Sequence, residues 1–199
     1  MTHCFSRRSF LKGSAAAAAV LSSPLLPADA ASSETENGLF SPVSALCQTQ
    51  YGPVRGREGK NGLLCWYGIP YGAAPTGESR WTAPQEPARW HAVRDCTSPA
   101  PAAYQYTTFP LGTEDCLTLD IYSSAEAKKR PVLVYLHGSA ATGSSLELPG
   151  CELVRDAGCV FVALNYRLGL FGWNCLPALT ADPDATGNFA LLDIARALD

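Results

Sequence analysis

Two runs of consecutive hydrophobic residues mark the predicted core of the chain. Val132–Leu136 contains five apolar or aromatic residues in a row, and Cys159–Leu164 contains six. Short uninterrupted runs of this kind are typical of parallel strands that are buried on both faces. Between them, Leu146–Ala157 has helical spacing and stops before Gly158, a residue type that ends helices. The pattern therefore predicts a strand–helix–strand unit.

Shorter elements are predicted in the part of the chain that precedes this unit. Leu117–Tyr122 alternates between apolar and polar positions, which predicts a half-buried strand. The sequence from Tyr51 is dense in glycine and proline. This favours short strands around Val54-Arg55 and Leu63–Ile69, separated by turns such as Asn61-Gly62. The order of elements predicts an α/β fold, with a mixed sheet of N-terminal antiparallel strands and parallel core strands.

The final predicted element is a helix over Asn188–Leu198, with Asn188 or Thr186 as candidate N-cap. The sequence ends inside this helix, at Asp199, without a glycine, proline or other terminator. A parallel sheet with only two core strands leaves an apolar edge unpaired. We therefore expect a truncated domain, poorly soluble when isolated.

The N-terminus has the pattern of an export signal. Paired arginines at Arg7-Arg8 are followed by Phe-Leu-Lys, by the apolar run Ala15–Leu21 and by the small-residue site Ala28-Asp29-Ala30. This is the pattern of a twin-arginine signal peptide. We predict a signal peptide over residues 1–30, a flexible mature N-terminus over 31–49 and a single domain over 50–199. The expected location is the periplasm or the outside of the cell.

Composition excludes several classes of function. Hydrophobic residues make up 47% and charged residues 17% of the chain, as in globular proteins. The net charge is −3 without a basic block, so nucleic-acid binding has no support. No run of about eighteen apolar residues follows the signal, so no membrane span is predicted. The chain has eight cysteines, one of them in the signal, and their spacing matches no CxxC metal pattern, so no zinc site is expected. No cofactor is expected either.

Candidate chemistry lies where the first hydrophobic run ends. The run is followed by His137-Gly138 and then by small residues through Ser145. Ligands of open α/β sheets bind at the carboxyl ends of the strands, where backbone N–H groups are available. The same residues also fit an ordinary strand-to-loop connection. The motifs on either side decide between a ligand-binding loop and such a connection.

Six motifs follow one another in a fixed order. They are Gly52–Gly56, Tyr67–Gly72, Arg80–Pro84, Glu114–Ile121, Asn165–Gly169 and Gly187–Asp193. In this order they resemble the N-terminal third of the type-B carboxylesterases, the α/β-hydrolase group that includes the cholinesterases. The resemblance runs from about Tyr51 to Asp199. It implies an incomplete α/β-hydrolase fold and hydrolysis of carboxylic esters by a serine acyl-enzyme mechanism.

The resemblance assigns a role to the loop after the first hydrophobic run. His137-Gly138-Ser139-Ala140 stands where these esterases carry H-G-G-G, whose backbone N–H groups form the oxyanion hole. The implied oxyanion residues are Gly138, Ser139 and Ala140. Serine and alanine replace two glycines here, and the loop to Gly143 is one residue shorter than in the family. Serine and alanine adopt a positive φ at a cost that glycine does not have.

The catalytic residues that the family uses are absent from this sequence. The family's G-E-S-A-G elbow lies beyond the position of Asp199, and no G-x-S-x-G occurs here. Gly77-Glu78-Ser79 continues into a proline-rich turn, and His3, His91 and His137 fall at non-catalytic positions. No catalytic residue is therefore predicted. Without an activated serine, we expect that the chain alone does not hydrolyse esters.

The resemblance also implies two structural ion pairs and one disulfide. The ion pairs are Arg80–Glu114 and Arg167–Asp193. Cys116 corresponds to half of the family's first disulfide, but Ala103 stands where its usual partner would be. Cys96 is then the candidate replacement.

Three interpretations of the function remain open. The first is an exported carboxylesterase, present here as its N-terminal portion, with a small-molecule ester as substrate once completed. The second is a non-catalytic, cholinesterase-like binding module. The third is one half of a split esterase, in which a separately encoded C-terminal half supplies the catalytic triad. The DNA downstream of Asp199 would distinguish them.

Overall fold

One mixed sheet forms the framework of the computed structural model, which describes residues 40–126, 129–148, 150–174, 176–179 and 187–199. The predicted signal peptide, residues 31–39 and the candidate N-cap Thr186 lie outside the described residues. The strands in chain order are β1 (Phe40–Gln48), β2 (Pro53–Gly59), β3 (Leu63–Pro70), β4 (Arg94–Asp95), β5 (Gln105–Tyr106), β6 (Pro110–Leu111), β7 (Thr118–Ser124), β8 (Val132–Tyr135) and β9 (Val160–Leu164).

The order of the strands in the sheet is β1-β2-β3-β7-β9-β8, and β4 pairs with β2. Neighbours from β1 to β9 are antiparallel, whereas β8 and β9 are parallel. Strands β5 and β6 form a separate antiparallel hairpin. The predicted fold class, a mixed sheet with N-terminal antiparallel strands and parallel core strands, is confirmed.

The buried-strand prediction is wrong for the first hydrophobic run. Strand β8 lies at the edge of the sheet, and among the described residues it pairs only with β9. Its side chains are accordingly accessible, with Val132 45% and Leu133 46% exposed. The second run, β9, has neighbours on both sides and buries Phe161 and Ala163 completely. The two runs have the same hydrophobic pattern, so their difference in burial comes from position in the sheet.

The predicted flexible segment 31–49 also needs correction, because Phe40–Gln48 forms β1. This strand pairs antiparallel with β2 over most of its length. Ala45 is buried in the core, and the indole Nε1 of Trp66 donates a hydrogen bond to the Ala45 carbonyl oxygen at 3.0 Å. The strand is therefore part of the folded domain.

Three helices connect or cover the described strands: α1 (Gly150–Ala157), α2 (Gly169–Gly172) and α3 (Phe189–Ala197). Helix α1 begins later than the predicted Leu146 but ends as expected before Gly158, which has a φ of +61°. Asn188 occupies the N-cap position of α3. Among the described residues, none of the helices has the length and hydropathy that crossing a bilayer requires.

The core lies on both faces of the sheet. One cluster joins α1 to the sheet through Tyr122, Val154 and Phe161. Gly150 allows this close approach, because a Cβ there would lie 2.4 Å from the Phe161 ring. On the opposite face, a second cluster contains Leu164 and Ala190 and joins α3 to the strand ends. Strand β9 is thereby packed on both faces, and the carboxyl ends of β8 and β9 carry the candidate site.

Candidate functional site

The candidate oxyanion loop, residues 137–145, leaves the carboxyl end of β8 beside the segment that leaves β9. The two segments are joined by backbone and side-chain hydrogen bonds. The N–H of Gly169 donates to the Ala140 carbonyl oxygen at 2.7 Å. The N–H of Ser145 donates to Oδ1 of Asn165 at 2.9 Å. Parallel pairing of β8 with β9 brings these segments together, because it places both exits at one edge of the sheet.

His137 fixes the beginning of the loop. Its imidazole is buried and stacks on the Tyr166 ring, with centroids 4.2 Å apart and planes 6° apart. The Tyr166 hydroxyl donates to the His137 carbonyl oxygen at 2.6 Å. Burial lowers the pKa of His137, which favours the neutral imidazole at neutral pH. These contacts give His137 a supporting position under the loop.

Ser139 takes the backbone conformation that usually requires glycine. Its φ is +75°, in the left-handed region where a Cβ costs roughly 1–2 kcal/mol. The side chain offsets part of this cost, since Oγ accepts hydrogen bonds from the N–H groups of Ala141 at 3.1 Å and Thr142 at 3.3 Å. Ala140, the second replacement for a family glycine, does not have positive φ. The strain of the altered sequence is therefore confined to one residue.

The loop contains two kinds of backbone amide. The N–H groups of Gly138, Ser139 and Ala140 donate to no group among the described residues, and all three residues are exposed. The next three N–H groups all donate: those of Ala141 and Thr142 to Ser139, and that of residue 143 to Gln105. Three consecutive amides of exposed residues thus have no described acceptor and are available to an anionic oxygen.

The end of the loop is anchored in a buried polar network. The Ser145 hydroxyl donates to Oδ2 of Asp120 at 2.7 Å, and the Gly68 N–H donates to Oδ1 of the same carboxylate at 2.8 Å. Asp120 and Ser145 are each 1% exposed. The sequence placed Asp120 in a family motif, where it replaces asparagine, but did not indicate its contact with the loop.

The residues of the two expected ion pairs lie next to each other. Arg167 and Asp193 are 2% and 0% exposed, and Nη2 of Arg167 lies 2.7 Å from Oδ1 of Asp193. Nη1 of Arg167 donates to the Arg80 carbonyl oxygen at 2.9 Å. Arg80 in turn donates to Glu114, from Nη2 to Oε1 at 2.9 Å, in a half-buried position. The two pairs therefore form one connected group.

The structure does not form the expected disulfide between Cys96 and Cys116, and both thiols are free. Cys96 is held by backbone hydrogen bonds to Arg55 and Tyr67 and packs in a third core cluster with Val54 and Trp66. Cys116 packs in the cluster that contains Ala103, the alanine at the position of the usual partner.

Burial raises the pKa of Cys96 to about 11 and that of Cys116 to about 12, so both remain thiols at neutral pH. Their separation into two clusters explains why Cys96 does not replace the missing cysteine.

The other residues that drew attention in the sequence lie outside the site. Gly77–Ser79 is a single 3-10 turn on the surface, and both Ser79 and His91 are exposed. Within the described ranges, no three His, Cys, Asp or Glu side chains are grouped as metal ligands.

Comparisons with known proteins identify the family. Residues 43–199 match the model of the carboxylesterase family, and residues 4–23 match the twin-arginine translocation signal. The chain is 37% identical over 165 residues to the para-nitrobenzyl esterase of Bacillus subtilis (strain 168), covering 77% of this chain and 33% of that protein. It is 33% identical over 172 residues to the juvenile hormone esterase of Tribolium castaneum, covering 80% and 29%.

Solved structures give the same result. A para-nitrobenzyl esterase superposes with a TM-score of 0.70 at 36% identity, covering 78% of this chain and 33% of the other. A carboxylesterase of Geobacillus stearothermophilus gives a TM-score of 0.67 at 36% identity, covering 76% and 32%.

This chain spans about one third of the length of the relatives it matches. It carries a twin-arginine signal, which directs it to the periplasm or the outside of the cell. The chain belongs to the carboxylesterase family.

Proposed function

We propose that this chain supplies the oxyanion-stabilising part of a carboxylic ester hydrolase that acts through a serine acyl-enzyme. The observation that carries the proposal is the run of three amides, those of Gly138, Ser139 and Ala140, that donate to no described group. They lie on a loop whose two ends are fixed by buried contacts. Pre-aimed donors that need no reorganisation are what ester hydrolysis requires.

In this proposal, the loop acts in one step of the reaction. When a serine oxygen attacks the carbonyl carbon of an ester, the carbonyl oxygen becomes an anion, and the loop amides donate hydrogen bonds to it. Loss of one such donor lowers kcat about 100- to 1,000-fold in comparable enzymes. The serine, its general base and the acid would come from the part of the family fold that this chain does not span. The substrate class is a small-molecule carboxylic ester.

The two arginines are proposed as structural. The Arg167 guanidinium donates hydrogen bonds to Asp193 and to backbone carbonyl oxygens, and the Arg80 guanidinium donates to Glu114. Their donors are therefore engaged within the domain, which supports a role in holding the segments around the site.

A hybrid esterase tests the proposal. Residues 43–199 of this chain are joined to the remainder of the Bacillus subtilis para-nitrobenzyl esterase, beyond its matched third, and hydrolysis of p-nitrophenyl acetate is measured. We expect turnover by the hybrid and none by this chain alone. Ala140→Pro, which removes one proposed oxyanion donor, should lower kcat about 100-fold or more. Ala141→Pro is the matched control, because the Ala141 amide donates to Ser139 and not to substrate.

Two results would contradict the proposal. One is a hybrid that unfolds cooperatively but hydrolyses no ester, an outcome that would favour the non-catalytic binding module. The other is an equal loss of kcat in the Ala140→Pro and Ala141→Pro variants, which would show that the three amides have no special role.

A split esterase is a second candidate, favoured by the exposed edge of β8. Val132 and Leu133 are nearly half exposed, and among the described residues β8 has a strand neighbour on one side only. An unpaired apolar edge is a surface on which another polypeptide can add a strand. Under this proposal, the same two pieces as in the hybrid, produced as separate polypeptides, co-purify and recover hydrolysis. Failure to co-purify, with an active covalent hybrid, would exclude the split arrangement.

A further inference from the structure

Gln105 is a buried amide side chain to which the sequence analysis assigned no role. It lies on β5, in the long connection before β7, and is only 7% exposed, whereas its neighbour Tyr106 is 69% exposed. Buried amides have both donors and acceptors to satisfy, so the partners of Gln105 show what its position supports.

The Gln105 side chain holds the oxyanion loop from 38 residues away. Its Oε1 accepts the Gly143 N–H at 3.0 Å, and its Nε2 donates to the Gly143 carbonyl oxygen at 2.9 Å. The same Nε2 also donates to the Ala103 carbonyl oxygen at 3.1 Å. Both backbone groups of one loop residue are therefore bound by one planar amide, which fixes residue 143 in orientation as well as in place.

Gly143 is a sensitive point of the loop. Its φ is +144°, and a Cβ at this position would lie 2.2 Å from Nδ1 of His137. The backbone of residue 143 therefore lies directly against the imidazole that supports the start of the loop. A shift of Gly143 would be transmitted to His137, because the two are in contact and His137 is enclosed by the Tyr166 ring.

The hairpin that carries Gln105 is itself well fixed. Backbone hydrogen bonds join Tyr104 to Thr113 at 2.8 Å and Thr113 to Ala102 at 2.9 Å. Ala103 is 1% exposed and packs in the core cluster of Cys116. The amide of Gln105 therefore projects from a rigid base, as a residue that positions a site must.

We propose that Gln105 is a positioning residue, which fixes residue 143 of the oxyanion loop through its paired hydrogen bonds to Gly143 and thereby aims the amides of residues 138–140. Between residues 137 and 143 the backbone of the loop is then fixed at three points: residue 137 by Tyr166, residue 140 by Gly169 and residue 143 by Gln105. The three available amides belong to residues within this span. This inference rests on the proposed function of the loop.

Hydrogen–deuterium exchange of the whole chain, read by mass spectrometry, tests the contact itself. Gln105→Met keeps the length of the side chain and removes the amide. We expect peptides covering residues 141–146 to exchange at least about tenfold faster, with unchanged exchange in β9. Gln85→Met is the matched control, because exposed Gln85 makes the same local bond, from Nε2 to the carbonyl oxygen two residues earlier, without any contact to the loop.

A second variant covers the case in which Gln105→Met does not fold. Gln105→Glu keeps shape and polarity and can still accept the Gly143 N–H, but a carboxylate cannot donate to the two carbonyl oxygens. It should therefore increase exchange of the same peptides. Unchanged loop exchange in a folded Gln105 variant, relative to the wild type and Gln85→Met, would overturn the proposal.

The hybrid esterase separates positioning from mere structural support. Gln105→Met should lower kcat about tenfold or more with little change in KM, because the loop amides meet the charged oxygen only in the transition state. Faster loop exchange with an unchanged kcat would refute the positioning role. If the hybrid that keeps Gln105 hydrolyses no ester, the proposed function is refuted instead. The contact of Gln105 with the loop would then be judged on hydrogen exchange alone.

Discussion

Replacing Asp193 by asparagine should destabilise the domain far more than the same replacement at Asp156. Asp193 is fully buried and receives hydrogen bonds from Nε, Nη2 and the backbone N–H of Arg167. Asp193→Asn keeps the shape of the side chain but removes the charge, so the Arg167 guanidinium, 2% exposed, would remain as an uncompensated buried cation. Breaking a buried pair in this way costs about 3–5 kcal/mol.

The magnitude makes the test decisive. Domains of this kind have total stabilities of about 5–15 kcal/mol, so Asp193→Asn removes a large fraction. With a urea dependence of about 2 kcal/mol per M, the unfolding midpoint should fall by roughly 2 M. Fluorescence of the chain's four tryptophans reports the transition.

Asp156→Asn is the control, because its partner Arg155 and the carboxylate itself are both mostly exposed. Such surface pairs contribute little, so its midpoint should not change measurably. Equal midpoints for the two variants would refute the reasoning that burial determines the importance of the Arg167 pair.

Three further predictions concern the loop and the thiols. Burial lowers the pKa of His137 in the folded state, so its contribution to stability is present above the ordinary pKa of about 6.5 and is lost as the pH falls through the folded value. The urea midpoint should therefore be lower near about pH 5 than near neutrality, and His137→Gln should reduce that difference. Ser139→Gly should be more stable to urea than Ser139→Ala by about 1 kcal/mol, since both remove Oγ and only glycine accepts the positive φ freely. An alkylating reagent followed by mass spectrometry should modify exposed Cys47 in the native chain, but Cys96 and Cys116 only in urea. Native resistance of all three to the reagent, or a Cys96–Cys116 crosslink on oxidation, would contradict this account.

The elements of the fold were predictable where local pattern decides them. The second hydrophobic run became β9, and the alternating segment became β7, with bounds shifted by one or two residues. The pattern did not predict which face of β7 is the more buried one. Alternation of hydrophobicity assigns Asp120 to solvent, but its side chain is buried. Its carboxylate is bound by Gly68 of β3 and by Ser145 of the loop, both of which are distant from it in sequence.

At the site, the pattern missed contacts between residues that are far apart in the sequence. The loop could be located because its letters stand between family motifs, and residues 138–140 were named from those letters alone. No role could be assigned to Gln105 in that way, because its contact with Gly143 depends on a hairpin without hydrophobic periodicity. The exposure of β8 depends similarly on sheet order, and strand order is not encoded in the strand itself.

The order of the strands has a consequence for folding. Strand β9 lies between β7 and β8, so β8 cannot join the sheet through the strand that precedes it in the chain. Two residues that fix the loop after β8, Tyr166 and Gly169, follow β9 directly. The loop can therefore take its final shape only after β9 has inserted, and this non-local pairing is expected to be slow. Formation of the loop should therefore be among the last folding steps of this part of the chain.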